Sequence, residues 1–337
     1  MFRVGVKRRL RPQRSWFRPV HCHARPLVYS DANPREGTGA VAVSLGETPT
    51  RAFRAVFGVD FSGARLAGRT TWIARLDPVR QPRSRDAQPA FSLGALDRLD
   101  RLAGTAEREA ALAHLVTLVA ASRDVLWALD FPFGLPVELF PARSRWPRQL
   151  ALVREYRADD YGLGLECVRR ARTLGPRMHI RRQTDIDARA PFDPYHYRII
   201  YQTMHGMHSV LRPLRRDRAT AVLPFQYARL DSAVRVLVEA CPASTLKRLG
   251  LPSQNYKQPA GGPLTRRRRG VRRTIMAGIA SHVCIGDRDR RVMMRDPGGD
   301  AIDAVLAALG AAQAFAAADH DAIARHARYP REGHLYV

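Results

Sequence analysis

The chain has little lysine and few acidic residues. Only three of its 337 residues are lysines: Lys7, Lys247 and Lys257. Arginine therefore carries almost all of the positive charge, and 31 acidic residues against 56 basic ones leave a formal net charge of +25. A surface of this kind attracts polyanions, above all nucleic acid, although genome base composition can produce the same arginine bias. Nucleic acid is the expected partner, with no preference between DNA and RNA.

Paired cysteines and long apolar runs are also missing. The four cysteines are far apart in the sequence: Cys22, Cys167, Cys241 and Cys284. The absence of a CxxC pair argues against a zinc ribbon and a disulfide scaffold, and it fits a reducing, cytoplasmic setting. The most apolar segment, which follows Asp303, is alanine-rich and too short for a membrane span. We therefore expect no membrane association, and a hydrophobic content of 45% suffices for a sizeable core.

The first residues of the chain have no acidic side chain before Asp31. This composition predicts that residues 1–54 form a basic, disordered arm. An arginine-rich transit peptide or a misassigned start codon would give the same composition. We therefore expect the folded domain to extend over residues 55–337.

Apolar segments at strand and helix spacing begin at Ala55. The segments "AVFGVD", "RTTWIARL" and "AFSLGAL" predict three strands, the second antiparallel to the first. A helix over Ala106–Ser122 then precedes a buried strand, "VLWALD". Because a crossover helix normally joins parallel strands, the strand ending at Asp130 can lie beside the one ending at Asp60.

The remainder of the chain predicts helices around one more strand. Residues 140–227 have the pattern of a helical insertion, and "SAVRVLVEACPAS" contains a strand that ends at Glu239. The stretch "GGPLTRRRRGVRR" predicts a basic loop, followed by helices over Thr274–Ile285 and Ala301–Ala318. The sequence thus predicts an α/β protein whose mixed sheet has three antiparallel strands plus parallel strands, flanked by helices.

Five acidic residues stand at the ends of these elements. Asp60, Asp130 and Glu239 end strands, while Asp300 and Asp303 open the last long helix on one face. Each alone has a structural explanation, as a turn former, helix cap, helix-dipole partner or arginine partner. Together they predict a site for Mg²⁺ or Mn²⁺, because clustered carboxylates need cations and these ions prefer oxygen ligands. Two such ions about 4 Å apart can promote hydrolysis of a phosphodiester.

The chain resembles a known family in six segments that occur in order. They are "VFGVDFSGARLAGRTTWIA", "ALDFPFGLP", "RRQTDIDARAPFDPYHYRIIYQT", "EACPASTLKRLGLP", "GDAIDAVLAALGA" and "EGHLYV". These look like the motifs of domain-of-unknown-function family 429, which is grouped with predicted RNase H-like nucleases. The resemblance covers about Ala55 to Val337 and implies an RNase H-like fold.

The resemblance also implies roles for the acidic residues. Asp60 would be the first-strand acid that bridges two metal ions, Asp130 the fourth-strand acid, and Asp300 and Asp303 the acids of the final helix. Glu239 has no certain counterpart in the family and ranks lower, as a metal ligand or as an acid behind the ligands.

Several basic residues are candidates for phosphate contacts. They are Arg181, Arg182, Lys247, Arg266, Arg267, Arg268 and Arg269. The alternative for each of them is a solvated surface residue, and for Lys247 an exposed helix lysine is favoured.

The sequence favours a metal-dependent nuclease. Two alternatives stay open: an ATP-binding phosphotransferase related to actin and sugar kinases, suggested by "GVDFSGA", and a nucleic-acid-binding protein without catalysis.

Overall fold

The computed structural model describes residues 51–79, 89–258 and 261–337. The predicted basic arm therefore lies outside the described residues except for its last four. Two of these four, Arg51 and Phe53, pack their side chains on the domain: the Arg51 guanidinium donates hydrogen bonds to the carbonyls of Leu230 and Ala233. The Phe53 ring lies edge-on to Phe315 at a centroid distance of 5.1 Å.

One seven-stranded sheet forms the centre of the protein. Its strands are β1 (Ala55–Asp60), β2 (Trp72–Pro78), β3 (Phe91–Arg98), β4 (Val125–Leu129), β5 (Thr220–Val222), β6 (Arg235–Glu239) and β7 (Val283–Cys284), in the spatial order β5-β6-β4-β1-β2-β3-β7. The pairs β1–β2 and β2–β3 are antiparallel, and all other neighbours are parallel. This mixed sheet with flanking helices confirms the predicted fold class and is consistent with an RNase H-like fold.

Helices connect the strands and cover both faces of the sheet. They are α1 (Ala67–Thr70), α2 (Leu99–Ala103), α3 (Arg108–Ala121), α4 (Trp146–Glu155), α5 (Asp160–Leu174), α6 (Gln183–Asp187), α7 (Ile200–His205), α8 (Arg212–Leu214), α9 (Pro242–Arg248), α10 (Arg266–Ile279), α11 (Asp287–Arg295), α12 (Asp300–Ala317), α13 (His320–Arg325) and α14 (Tyr329–Glu332). A π-helical segment, Gly206–Leu211, joins α7 to α8. Short 3₁₀ turns span Val137–Leu139 and Tyr227–Arg229.

Successive side chains of β1 point to opposite faces of the sheet, and each face has its own hydrophobic core layer. Phe57 and Val59 pack with α3 and the insertion helices on one face, whereas Val56 packs with α9, α10 and α12 on the other. Helix α12 is long and apolar enough to cross a membrane by length and composition, but 72% of it is buried inside the protein. It is therefore a core helix.

Glycine allows α12 to lie directly against the central strand. A Cβ on Gly58 would stand 2.0 Å from the Ala304 carbonyl oxygen and 2.4 Å from the Ala308 nitrogen. A larger residue on β1 would push the helix away, because such distances are far inside van der Waals contact. This contact fixes the height of the first turn of α12 relative to the end of β1.

Some predicted boundaries are wrong. The second strand begins at Trp72, and a turn of helix, α1, occupies part of the segment assigned to it. The predicted basic loop is helical from Arg266 onward, because the Thr265 hydroxyl caps the helix by accepting from the Arg268 N–H at 3.3 Å. That helix ends at Ile279, since Val283 and Cys284 pair with β3 at the sheet edge.

Candidate functional site

Asp60 and Asp130 emerge from neighbouring strands at the same edge of the sheet. Strands β1 and β4 are parallel with Val59 opposite Leu129, and the Asp130 N–H donates to the Val59 carbonyl at 2.9 Å. The two side chains line one cavity of about 660 Å³. The sequence placed both residues at strand ends, and the parallel pairing brings them together.

The first turn of α12 adds two carboxylates at this edge. Asp303 is 2% exposed, lines the same cavity and accepts a hydrogen bond from the Tyr256 hydroxyl at 2.8 Å. Gly299, with φ of +79°, occupies the N-cap position, and Asp296 accepts from the Ala301 N–H at 3.0 Å. Asp300 therefore does not cap the helix, and its carboxylate is left to interact with the other acids.

A buried arginine supports the segments around this turn. Arg272 of α10 is fully buried, and its guanidinium donates to four backbone carbonyls: those of Tyr256 at 2.7 Å, Met293 at 3.0 Å, Asp296 at 2.5 Å and Pro297 at 3.1 Å. These bonds tie the loop before α12 to the segment that contains Tyr256.

Mutual repulsion and burial raise the pKa values of the clustered acids. Burial is the first cause of the raised pKa of Asp60, followed by the charge of Asp300 and, more weakly, of Asp303 and Asp130. Burial, together with the charge of Asp303, raises the pKa of Asp130 to about 8. Burial also raises the pKa of Asp300 to about 7. Without a cation, the cluster therefore takes up protons at neutral pH instead of ionising fully.

Lys257 supplies a positive charge within the cluster. Its ammonium group contacts the Asp303 carboxylate and lies 3.9 Å from Asp300 Oδ1. Burial disfavours this charge, but the carboxylates of Asp303 and Asp60 outweigh burial and hold the pKa of Lys257 well above its usual value. One sequence signal for this residue was not used: lysine is rare in a chain that otherwise relies on arginine.

The donor set fits Mg²⁺ or Mn²⁺ in chemistry. Asp60, Asp130, Asp300 and Asp303 offer carboxylate oxygens, which both ions prefer, and the raised pKa values indicate that the cluster lacks positive charge. As they stand, no three His, Cys, Asp or Glu side chains among the described residues are arranged to hold a metal ion. Both oxygens of Asp303 already have partners, the Tyr256 hydroxyl and the Lys257 ammonium group.

Glu239 lies at the same edge but is bound to an arginine. Its oxygens accept hydrogen bonds from Arg182 at 2.5 and 2.8 Å and from the Phe133 N–H at 3.0 Å. The side chain is 1% exposed. This arrangement favours the second of the two predicted roles for Glu239, that of an acid behind the ligands, although its side chain also lines the cavity.

Arg182 is likewise corrected as a phosphate-binding candidate. All five of its guanidinium N–H groups are used: two reach Glu239, two reach Asp185, and one reaches the Glu332 carbonyl. The residue is 1% exposed, so no donor is left for a ligand. The fold places a buried ion-pair network where the sequence predicted a substrate contact.

The other basic candidates lie at the surface. Arg181 donates to the Pro191 carbonyl at 3.2 Å, and Lys247 donates to the Arg189 carbonyl at 2.6 Å. Within the run Arg266–Arg269, Arg268 lines the cavity and donates to the Lys257 carbonyl at 2.7 Å. The remaining three of that run are exposed, so the structure brings only Arg268 close to the acidic cluster.

An aromatic ring and a guanidinium group, those of Phe192 and Arg198, line part of the cavity, and His196 and Tyr197 lie beside them. Phe192 stacks on His196 at a centroid distance of 4.5 Å. The Arg198 guanidinium lies 5.7 Å from the ring centres of both Phe192 and Tyr197, and Tyr197 is 62% exposed. These residues were not predicted individually, although all lie in the segment "APFDPYHYR" that carried the family resemblance.

Comparison with known protein families identifies the family of this chain. Residues 58–327 match the family described as a protein of unknown function, DUF429. Neither the curated proteins nor the solved structures contain a significant match to the chain. Since the matched segment covers more than half of the chain, this protein belongs to the DUF429 family.

Proposed function

We propose that the protein is a metal-dependent nuclease that hydrolyses phosphodiester bonds. One observation carries the proposal: three aspartates from separate parts of the chain, Asp60, Asp130 and Asp303, line one cavity. The charge of a fourth, Asp300, raises the pKa values of Asp60 and Asp130. Such a cluster costs stability unless cations neutralise it. Proteins keep costly arrangements of this kind mostly where function requires them.

The position of each residue in the cavity suggests its role in the proposed reaction. Asp60, Asp130 and Asp303 line the cavity, and the pKa of Asp60 responds to all three other aspartates, so Asp60 would be the central one of the residues that hold the ions. Bound Mg²⁺ or Mn²⁺ would supply an activated water and stabilise the leaving oxygen. Tyr256 holds one Asp303 oxygen and thereby orients that carboxylate. Glu239 and Arg182 hold the backbone at Phe133, three residues beyond Asp130.

A nucleic-acid substrate agrees with the charge and the cavity wall. The formal net charge of +25 favours a polyanion. Phe192 and Tyr197 present rings with the Arg198 guanidinium over them, a combination that suits unpaired bases. DNA and RNA share both features, and assays with each are required.

The phosphotransferase alternative is less favoured by the turn after β1. In that alternative, the turn in "GVDFSGA" would cradle a phosphate. A Cβ on Gly63 would stand 2.2 Å from the Tyr201 carbonyl oxygen, and the Gln202 side chain donates to the Phe61 carbonyl. Helix α7 thus packs against this turn, at the place where a phosphate would have to approach.

The decisive experiment uses Asp60→Asn with Asp321→Asn as the matched control. Asp321 lies on α13, and its side chain is 84% exposed. Labelled single-stranded and duplex DNA and RNA are incubated with each protein in Mg²⁺, in Mn²⁺ and in EDTA. Metal-dependent cleavage is expected from the wild type and from Asp321→Asn. Asp60→Asn is expected to bind the same substrates in EDTA with unchanged affinity and to leave them intact.

Other outcomes overturn the proposal. Cleavage that survives Asp60→Asn, or that proceeds in EDTA, would place the chemistry elsewhere. Binding without cleavage by any of the proteins would support the non-catalytic alternative. Turnover of ATP without nucleic acid would support the phosphotransferase.

A further inference from the structure

A second, strongly basic groove lies at the same edge of the sheet as the acidic cluster. Asp60 at the end of β1 pairs with Trp72 at the start of β2, and Trp72 pairs in turn with Arg98 at the end of β3. Trp72 and Arg98 therefore continue the edge that carries Asp60. Together with α11 they line an open groove of about 430 Å³, here called the arginine groove.

Helix α11 contributes three arginines to this groove. Arg288, Arg291 and Arg295 are spaced three and four residues apart, so they share one face of the helix, while Met293 is fully buried in the core. All three are exposed. Within the ranges that the structure describes, none of them forms a hydrogen bond or a salt bridge. The charge of Arg288 lowers the pKa of its neighbour Asp289, but burial raises that pKa more strongly.

The fourth arginine has an unused donor. Arg98 donates from Nη2 to Asp100 at 3.1 Å, but its Nε is buried and has no hydrogen-bond partner among the described residues. A buried donor without a partner costs free energy that a bound acceptor would recover. Asp296, which also lines the groove, already accepts from the Ala301 N–H.

The three guanidinium groups of α11 repel one another and Arg98, whose charge is partly balanced by Asp100, and a chain of anions would relieve that repulsion. Phosphate groups suit the geometry, because an arginine can donate two parallel hydrogen bonds to one phosphate. The groove also leads towards the acids, because Asp296 and Pro297 line it and Asp300 follows three residues later.

We propose that the arginine groove binds the phosphate backbone of a nucleic-acid strand. This inference rests on the proposed function, since the groove would hold the strand beside the phosphodiester that reaches Asp60. The acids at the start of α12 would then lie beside a nucleic-acid strand that the arginines of α11 hold. The assignment is of phosphate contact and not of base recognition, so it applies to DNA and RNA alike.

The test compares two triple variants that lose the same charge. The groove variant, Arg288→Ala/Arg291→Ala/Arg295→Ala, removes the three arginine side chains that α11 contributes to the groove. The control, Arg123→Ala/Arg172→Ala/Arg325→Ala, removes three exposed arginines elsewhere. Arg123 lies just before β4, at the sheet edge opposite Asp130. Binding of a labelled 30-nucleotide single strand is measured by fluorescence anisotropy in EDTA, over a range of salt concentrations.

The groove variant is expected to lower the salt dependence of binding. Each lost phosphate contact reduces the slope of log K against log salt by about 0.7, so three contacts reduce it by about 2, or about hundredfold in affinity at 0.1 M salt. The control should keep the wild-type slope, and both variants should keep the wild-type melting temperature. If both variants lose the same affinity, net charge alone explains the effect and the proposal is overturned. Unchanged affinity in the groove variant would overturn it as well. Because EDTA prevents metal-dependent cleavage, this result does not depend on the fate of Asp60→Asn.

Discussion

Replacing Glu239 with glutamine should destabilise the fold without removing a catalytic group. Glu239 receives two hydrogen bonds from the buried Arg182 guanidinium and one from the Phe133 N–H. Glutamine keeps one acceptor oxygen but turns an NH₂ group towards the guanidinium. The positive charge of Arg182 then loses one of its two carboxylate partners in a site that is 1% exposed.

The size of the effect follows from burial. Breaking a buried ion pair by removing one partner costs about 3–5 kcal/mol. Asp185 continues to bind Arg182 at 2.6 Å, so we expect the lower end, about 3 kcal/mol. For a domain of this size that corresponds to a fall of about 5 °C in melting temperature.

Thermal denaturation in EDTA measures the effect, with Glu155→Gln as the control. Glu155 is exposed at the end of α4, and surface substitutions of this kind usually change stability by about 0.5 kcal/mol or less. If Glu239→Gln melts like the wild type and yet abolishes cleavage, the carboxylate takes part in the chemistry. Its assignment to the structural ion-pair network would then be refuted.

Three further predictions concern the acidic cluster. Asp60→Asn should raise the unfolding free energy in EDTA by about 1 kcal/mol, because Asp60 has to bind a proton to fold at neutral pH whereas asparagine is neutral in both states; a lower melting temperature would contradict this. The folded-state pKa of Asp130, about 8, lies above its usual value of 3.8, so its contribution to stability is complete below about pH 4 and is lost as pH rises to about 8. The melting temperature in EDTA should therefore fall over this range, and the fall should be smaller in Asp130→Asn; equal slopes would refute the assignment. Lys257→Met should tighten Mn²⁺ binding on the order of tenfold, since it removes an ammonium that repels the ion; calorimetry that finds unchanged or weaker binding would mean that Lys257 does not compete with metal.

The sequence predicted the acidic edge because local patterns and one topological rule are sufficient for it. Asp60 and Asp130 follow short buried segments, and a crossover helix makes the two strands parallel. The structure pairs them directly. The regular spacing of Asp300 and Asp303 likewise indicated the start of a helix, and the structure begins α12 at Asp300.

Glu239 shows where such reasoning fails. It follows a buried strand as Asp60 and Asp130 do, but its partner, Arg182, is 57 residues earlier in the insertion. No local pattern distinguishes a carboxylate that faces a cavity from one that meets a distant arginine. Lys257 was missed for a related reason, because it lies in an irregular segment without periodicity.

The edge strands and the basic helix were hard to predict for other reasons. Strands β5 and β7 have three and two residues, too few for alternation to appear. The four consecutive arginines of α10 resembled a solvated loop because two glycines precede them. The buried residues Arg272, Ile275, Met276 and Ile279 nevertheless follow helical spacing, so this part of the error was avoidable.

The hydrogen bonds of Arg272 make the geometry of the acidic site depend on a residue that contacts none of the acids. One guanidinium on α10 determines where the chain enters α12, and it also restrains the segment whose tyrosine orients Asp303. Selection acting on the chemistry would therefore constrain a side chain in the hydrophobic interior. Mutational scans that score activity alone would count this arginine among the active-site residues, although its role is that of a scaffold.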